Sequence, residues 1–164
     1  MSAITTQKEL LKNLLVAAGL APDRIALQEA NKKQLQQANL FPWAAIISGS
    51  ARFELPQRRE AQVLRSGARL YKQLRCKVSQ PFVVQVFEQD EARCTELMES
   101  FVENIPYSWV YKDLQGLIEL KNCEHSDFHS VVSGCYESAL LLEFEMDLGP
   151  KAQVGKKIQA IDAS

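Results

Sequence analysis

The chain has 164 residues and a mass of 18.5 kDa, which suits a single domain because domains usually span ~100–200 residues. Apolar residues make up 46% of it and charged residues 24%, with only 7 glycines and 6 prolines, so collagen-like and wholly disordered chains are excluded. The 19 basic and 20 acidic residues nearly cancel, which excludes a molecule that binds nucleic acid or anionic lipid through its overall charge.

The first predicted element is a helix near the N-terminus. Thr6 to Glu9 has the pattern of a capping box. Four leucines and Ala18 follow at three- and four-residue spacing from Leu10 onwards. Gly19 then gives a helical stop. The next stretch is polar and shows only weak helical spacing, with a Gln-rich segment at residues 28–37.

The middle of the chain predicts strands. Phe41 to Ile47 is a short apolar run that ends in turn residues, which is typical of a buried strand. Leu55 to Gly67 is charged and predicts a long loop or a hairpin arm. Alternation from Leu70 to Val78 predicts a half-buried strand. Pro81 to Phe87, apolar on both faces, predicts a central strand that is covered on each side or by a neighbouring subunit.

The second half predicts a covering helix and the rest of a sheet. Asp90 can cap a helix that runs to Asn104 with one apolar stripe. Further strands are predicted at Trp109–Tyr111, Gly116–Lys121 and Cys135–Leu148. Along the last of these, Leu140, Leu142, Phe144 and Met146 are predicted to face opposite to Leu141, Glu143, Glu145 and Asp147. This order predicts an α+β fold, with helices packed on a mostly antiparallel or mixed β-sheet, as one domain over residues 1–149. We expect residues 150–164 to form a mobile tail unless a partner orders them.

The charges are separated along the chain. Residues 52–77 carry eight basic and two acidic side chains, whereas residues 78–149 carry three basic and fourteen acidic ones. Such runs usually lie on solvated faces or meet within the fold. A second interpretation is that a positive surface of one copy attracts a negative surface of another. The candidate assembly or pore-lining residues are Arg52, Arg58, Arg59, Arg65, Arg69 and Arg75.

The N-terminal residues lack an uninterrupted apolar core, and no apolar run is long enough to span a bilayer, so a cytoplasmic protein without membrane contact is expected. The four cysteines lie far apart, without a CxxC pair, and are expected to be reduced thiols.

The residues with ligand chemistry cluster at Cys123, His125, His129 and Cys135. Two thiols and two imidazoles can hold tetrahedral zinc, but their spacing is not that of a known ribbon or finger. The same residues, with Asp127, could form a thiol nucleophile and its base. One hypothesis is therefore a small zinc- or thiol-dependent enzyme. The other interpretation is a loop with exposed histidines and structural thiols, and no cofactor.

The middle and end of the chain resemble the tail-terminator, or tail-completion, proteins of long-tailed bacteriophages and prophages. The resemblance lies in the order of four segments, followed by the long strand Tyr136 to Leu148, and it covers roughly residues 40–149. The segments are Arg69-Leu70-Tyr71-Lys72-Gln73-Leu74-Arg75, Pro81-Phe82-Val83-Val84-Gln85-Val86, Asp90-Glu91-Ala92-Arg93 and Phe101-Val102-Glu103-Asn104-Ile105-Pro106. Leu117-Ile118-Glu119-Leu120 and Ser126-Asp127-Phe128-His129-Ser130 continue the pattern.

The resemblance implies a virion assembly protein without catalytic residues or cofactors. Its expected partners are further copies of itself in a homohexameric ring, the tail-tube protein and the head–tail connector, with DNA only as a strand that passes through the pore. The expected location is the bacterial cytoplasm of the host cell and then the virion tail. The Gln-rich segment and the cysteines are not features of that family.

Overall fold

The computed structural model describes residues 2–28, 41–54, 60–63, 69–72, 76–111, 114–127 and 136–148. Among them are two helices, α1 and α2, a 3-10 turn at Pro22–Arg24 and nine strands, β1 to β9. The helices are α1 (Ala3–Ala17) and α2 (Glu91–Asn104). The strands are β1 (Ile25–Ala26), β2 (Trp43–Ser48), β3 (Arg52–Glu54), β4 (Glu60–Val63), β5 (Arg69–Lys72), β6 (Cys76–Glu88), β7 (Ser108–Tyr111), β8 (Leu114–Asp127) and β9 (Tyr136–Leu148).

Seven of these strands form one curled, mixed sheet in the order β1-β2-β6-β9-β8-β7, with β3 also paired to β6. The β1–β2 pair is parallel and every other described pair is antiparallel. The predicted α+β fold is therefore confirmed. The long strands β6, β8 and β9 form its centre, since β9 pairs with both of the others along almost its whole length.

Helix α1 begins earlier than the capping-box pattern predicts. Its N-cap is Ser2, whose hydroxyl accepts a hydrogen bond from the Thr5 amide at 3.3 Å. Thr6 lies inside the helix, and its hydroxyl donates to the Ser2 carbonyl at 3.3 Å. The predicted start was wrong because serine and threonine both suit an N-cap, and Ser2 rather than Thr6 takes that position.

The helical stop at Gly19 is confirmed. Gly19 has φ +118°, a conformation that disfavours side chains. Its amide donates to the Val16 carbonyl at 3.0 Å, and the Leu20 amide donates to the Leu15 carbonyl at 3.2 Å. This is the Schellman pattern, and the buried Leu15 and Leu20 supply its apolar contact.

Helix α2 has the predicted start. The Asp90 carboxylate accepts hydrogen bonds from the Ala92 and Arg93 amides at 2.9 and 3.4 Å. Cys94, Met98 and Phe101 form its buried stripe, as the spacing predicts.

Strand β6 joins Val78 and Pro81, which the sequence predicted to end one strand and to open the next. It runs unbroken through this proline, whose missing N–H points to the junction of β2 and β3. There the Gly49 amide donates to the Pro81 carbonyl at 2.9 Å. Pro81 cannot return that bond, and the side-chain amide of the buried Gln80 donates to the Gly49 carbonyl instead, at 2.8 Å. A proline is therefore tolerated in a central strand because a neighbouring side chain supplies the missing donor.

Both helices pack on the same face of the sheet and bury the main core. The core joins leucines of α1 and the stripe of α2 to Phe82 of β6, Phe144 of β9 and Trp109 of β7. Phe144 meets Phe82 and Trp109 edge to face, each at 5.4 Å between ring centroids. The predicted facing of β9 is confirmed, since Leu140, Leu142, Phe144 and Met146 are buried in this core.

Strands β4 and β5 form a separate two-stranded ribbon, with Glu60 opposite Lys72 and Val63 opposite Arg69. A hairpin arm was one of the two alternatives predicted for this region. The single strand predicted from Leu70 to Val78 was wrong, because β5 belongs to this ribbon and β6 to the main sheet. The tail at 150–164 and all of the Gln-rich segment except Gln28 lie outside the described residues.

Candidate functional site

The face of the main sheet opposite the helices, here called the outer face, mixes apolar and acidic side chains. Val110, Leu117 and Leu141 expose 64%, 40% and 38% of their surface there. Glu119, Glu143 and Glu145 lie among them, since Glu119 is directly opposite Glu143 and Leu117 is opposite Glu145. The outer face therefore differs from the face under the helices, most of whose side chains are apolar and buried, with Leu120 at its edge 43% exposed.

The three glutamates form a carboxylate cluster, with an oxygen of each lying within 4.8 Å of the others. Like charges opposite one another on neighbouring strands are destabilising. Three cations offset them in the fold. Arg52 reaches Glu143 at 2.8 Å, Lys77 reaches Glu145 at 3.7 Å, and Lys121 lies 2.9 Å from Glu119 and 3.5 Å from Glu143.

The hydrogen bond to Glu119 and the nearby carboxylate charges raise the pKa of Lys121. Carboxylate oxygens are also the ligands that hard divalent cations prefer. Because a side-chain cation already contacts each glutamate of the cluster, we assign these residues to an ion-pair network.

The outer face as a whole is acidic. Where β3, β6, β8 and β9 contribute to it, they carry seven carboxylates and three cations, which leaves a surplus of four negative charges.

A β-bulge in β8 decides which side chains join this face. Lys121 and Asn122 together oppose Leu141, and the alternation of side chains reverses at that point. Glu124 consequently lies on the outer face, whereas Cys123 and His125 turn towards α2.

The far half of β8 is also an edge of the sheet. β7 pairs only with Leu114 to Leu117. Within the described part of the chain, residues 119–127 therefore pair with β9 on one side and with no strand on the other. Residues 119–125 are exposed. The charges and the bulge here are devices by which proteins discourage uncontrolled edge pairing.

The predicted basic residues are only partly described. Arg52 lies on β3, and its exposed side chain makes the ion pair with Glu143. Arg69 begins β5, of which the backbone alone is described. Arg58, Arg59, Arg65 and Arg75 lie outside the described residues. Their role in assembly or in lining a pore stays a prediction.

Two of the four predicted zinc or thiol residues are described. Cys123 and His125, with Met98, Glu99, Val102 and Glu103 of α2, line a groove of about 330 Å³. Burial, and secondarily the charge of Glu124, raise the pKa of the Cys123 thiol, which favours the protonated form over the thiolate that a nucleophile or metal ligand requires. His129 and Cys135 lie outside the described residues, and of Asp127 only the backbone is described.

A chain of hydrogen bonds that the sequence did not reveal joins Cys94, Ser138 and His125. The Cys94 sulfur lies 3.4 Å from the Ser138 hydroxyl, which is hydrogen-bonded to Nδ1 of His125. These residues line a cavity of about 230 Å³ together with Glu91, Thr95, Tyr136 and Glu137. Ser138 is only 1% exposed, and burial raises the pKa of Cys94. Cys94 sits in the apolar stripe of α2, so spacing marks it only as a core residue. We interpret these hydrogen bonds as a packing contact between α2 and the sheet.

Cys76, Cys94 and Cys123 are free thiols, and Cys135 lies outside the described residues. Neither helix in the described part of the chain is long and apolar enough to cross a membrane. The chain matches no family model and no curated protein.

Proposed function

We propose that the protein is a non-catalytic component of phage or prophage tail assembly that caps the tail tube as a ring of copies. Its ring ends polymerisation of the tube and presents a surface for head joining. The order of strands and helices that resembles the tail-terminator family supports this proposal. So does the outer face, which is the observation on which the proposal depends most.

The outer face suits a protein that binds copies of itself. A ring closes through one head-to-tail contact repeated around an axis, so each subunit needs two different and complementary surfaces. The outer face supplies a surface with a surplus of four negative charges and exposed leucines. Residues 55–75 supply a separate stretch with six basic side chains and one acidic one.

The mechanism in this proposal is geometric. One side of the ring matches the last tube ring, and the other side is a surface that tube subunits cannot copy. DNA passes through the central opening, where the basic residues would contact its phosphates without reading sequence. The protein would act in the host cytoplasm and remain in the virion tail.

The native mass in solution tests the ring. Light scattering coupled to size exclusion, over a wide concentration series, should give one discrete species of about six subunits. A mass of one subunit at every concentration would contradict a preformed ring. Thiol alkylation and metal analysis of the same sample would then test the zinc- or thiol-enzyme alternative.

A further inference from the structure

We propose that the basic arm, residues 55–75, binds the outer face of a neighbouring copy around Leu117, Glu119, Glu124 and Leu141. This inference rests on the proposed function, because it names the contact that would hold the ring together. It commits to a second copy of this chain as the occupant of the outer face.

The arm has the features of an element that needs a partner. Its strands β4 and β5 pair four residues each and form a ribbon apart from the main sheet. An isolated two-stranded ribbon is marginally stable in water and gains stability when it packs on another surface. The arm also carries a surplus of five positive charges, together with apolar residues such as Val63, Leu64, Leu70 and Tyr71.

The outer face is complementary to the arm in both respects. It carries a negative surplus, and Leu117 and Leu141 are about 40% exposed between the carboxylates. An apolar centre with charged surroundings is the usual anatomy of a specific interface. The opposite charges would also speed association and fix the orientation of the arm.

One ion pair within the chain shows that a carboxylate of the outer face can bind an arginine. Arg52, three residues before the arm, places its guanidinium 2.8 Å from the carboxylate of the buried Glu143. Glu119 and Glu124, on the neighbouring strand, are exposed. Glu119 already pairs with Lys121, and Glu124 accepts a hydrogen bond from Asn122. Each carboxylate still has acceptor sites for an arginine, which binds such groups through two donors at once.

The arm is long enough to reach another subunit. It has 21 residues, so each limb of about ten can span at most roughly 35 Å. A domain of this length has a radius of gyration of about 15 Å. The arm can therefore extend past its own domain and lie on a neighbour.

Charge exchange between the two surfaces tests the inference. The face variant carries Glu119→Lys with Glu124→Lys, and the arm variant carries Arg65→Glu with Arg69→Glu. Each variant alone should need at least tenfold higher concentration for half-assembly than the wild type. An equimolar mixture should assemble as the wild type does, because each arm then meets a face of opposite charge on the other variant. The matched control is Glu99→Lys with Glu103→Lys, which makes the same charge change at exposed positions of α2 and should assemble normally.

The possible results separate the available explanations. If the mixture stays apart while one chain carrying all four substitutions assembles, the arm binds the face of its own chain and the inference is overturned. Unchanged assembly of both variants, or a wild type that is monomeric at every concentration, also overturns it. A ring of six that is insensitive to the exchange leaves the proposed function standing without this contact. If the wild type forms a dimer that the single variants disrupt and their mixture restores, the contact between arm and outer face is supported but the ring is not. Thermal unfolding at low concentration checks that each variant is folded.

Discussion

The two faces of the main sheet use the same strands for different purposes. On β9, Leu140, Leu142, Phe144 and Met146 point under the helices and are buried, while the alternate positions carry Leu141, Glu143, Glu145 and Asp147. The covered face holds most of the core, whereas the outer face holds ion pairs and leaves Leu117 and Leu141 partly exposed. We attribute the fold to the covered face and propose the outer face as a partner-binding surface.

If the two faces differ in this way, truncating neighbouring residues on opposite faces should lower the free energy of unfolding by different amounts. Leu142→Ala should lower the free energy of unfolding by about 2–5 kcal/mol, because it leaves a cavity in a fully buried site. Leu141→Ala should cost less than about 1 kcal/mol, since that side chain is partly in water. Urea unfolding at low protein concentration measures both without a contribution from assembly. Equal losses would contradict the assignment of the two faces.

A smaller loss is expected where the covered face contains a polar group. Gln80→Met keeps the length of the side chain but leaves the Gly49 carbonyl without the donor that stands in for the Pro81 N–H. An unsatisfied buried acceptor costs about 1–3 kcal/mol. The control is Gln89→Met, at an exposed position beyond the same strand, which should leave the urea midpoint unchanged. Equal midpoints for the two variants would show that Gln80 does not replace the missing donor.

The smallest expected effect is a pH dependence of stability from Cys94. Burial is the main cause that raises the pKa of this thiol in the folded state. The unfolded chain therefore loses the proton first, and stability falls as pH rises above the ordinary thiol pKa of about 8.5. Unfolding from pH 7 to pH 10 should show a steeper decline for the wild type than for Cys94→Ser. Parallel curves would mean that the folded state does not disfavour the Cys94 thiolate.

Local patterns in the sequence predicted most of the elements. Gly19 as a helical stop, Asp90 as a cap and the alternation of β9 each depend on residues close together in the chain. The unbroken path of β6 through Pro81 depends instead on Gly49, over thirty residues away. No local pattern contains that contact, so the prediction of separate strands ending at Val78 and beginning at Pro81 was wrong.

The site could be predicted only in part for the same reason. The charge separation pointed to the basic stretch and to the acidic second half. The pairing of Glu119 with Glu143 and the reach of Arg52 to that cluster depend on strand register. The bulge at Lys121 then sends Cys123 and His125 to the opposite face from Glu124. A one-residue irregularity of this kind leaves no clear signal in composition or spacing.

Carboxyl footprinting tests the central claim most directly. The intact chain would be labelled by a carbodiimide and an amine at low and at high protein concentration, and read by mass spectrometry. We predict that Glu119 and Glu124 on the outer face lose reactivity as concentration rises, while Glu99 and Glu103 on α2 stay equally reactive. If the labelling of Glu119 and Glu124 does not change, the outer face does not bind another copy and the account is wrong.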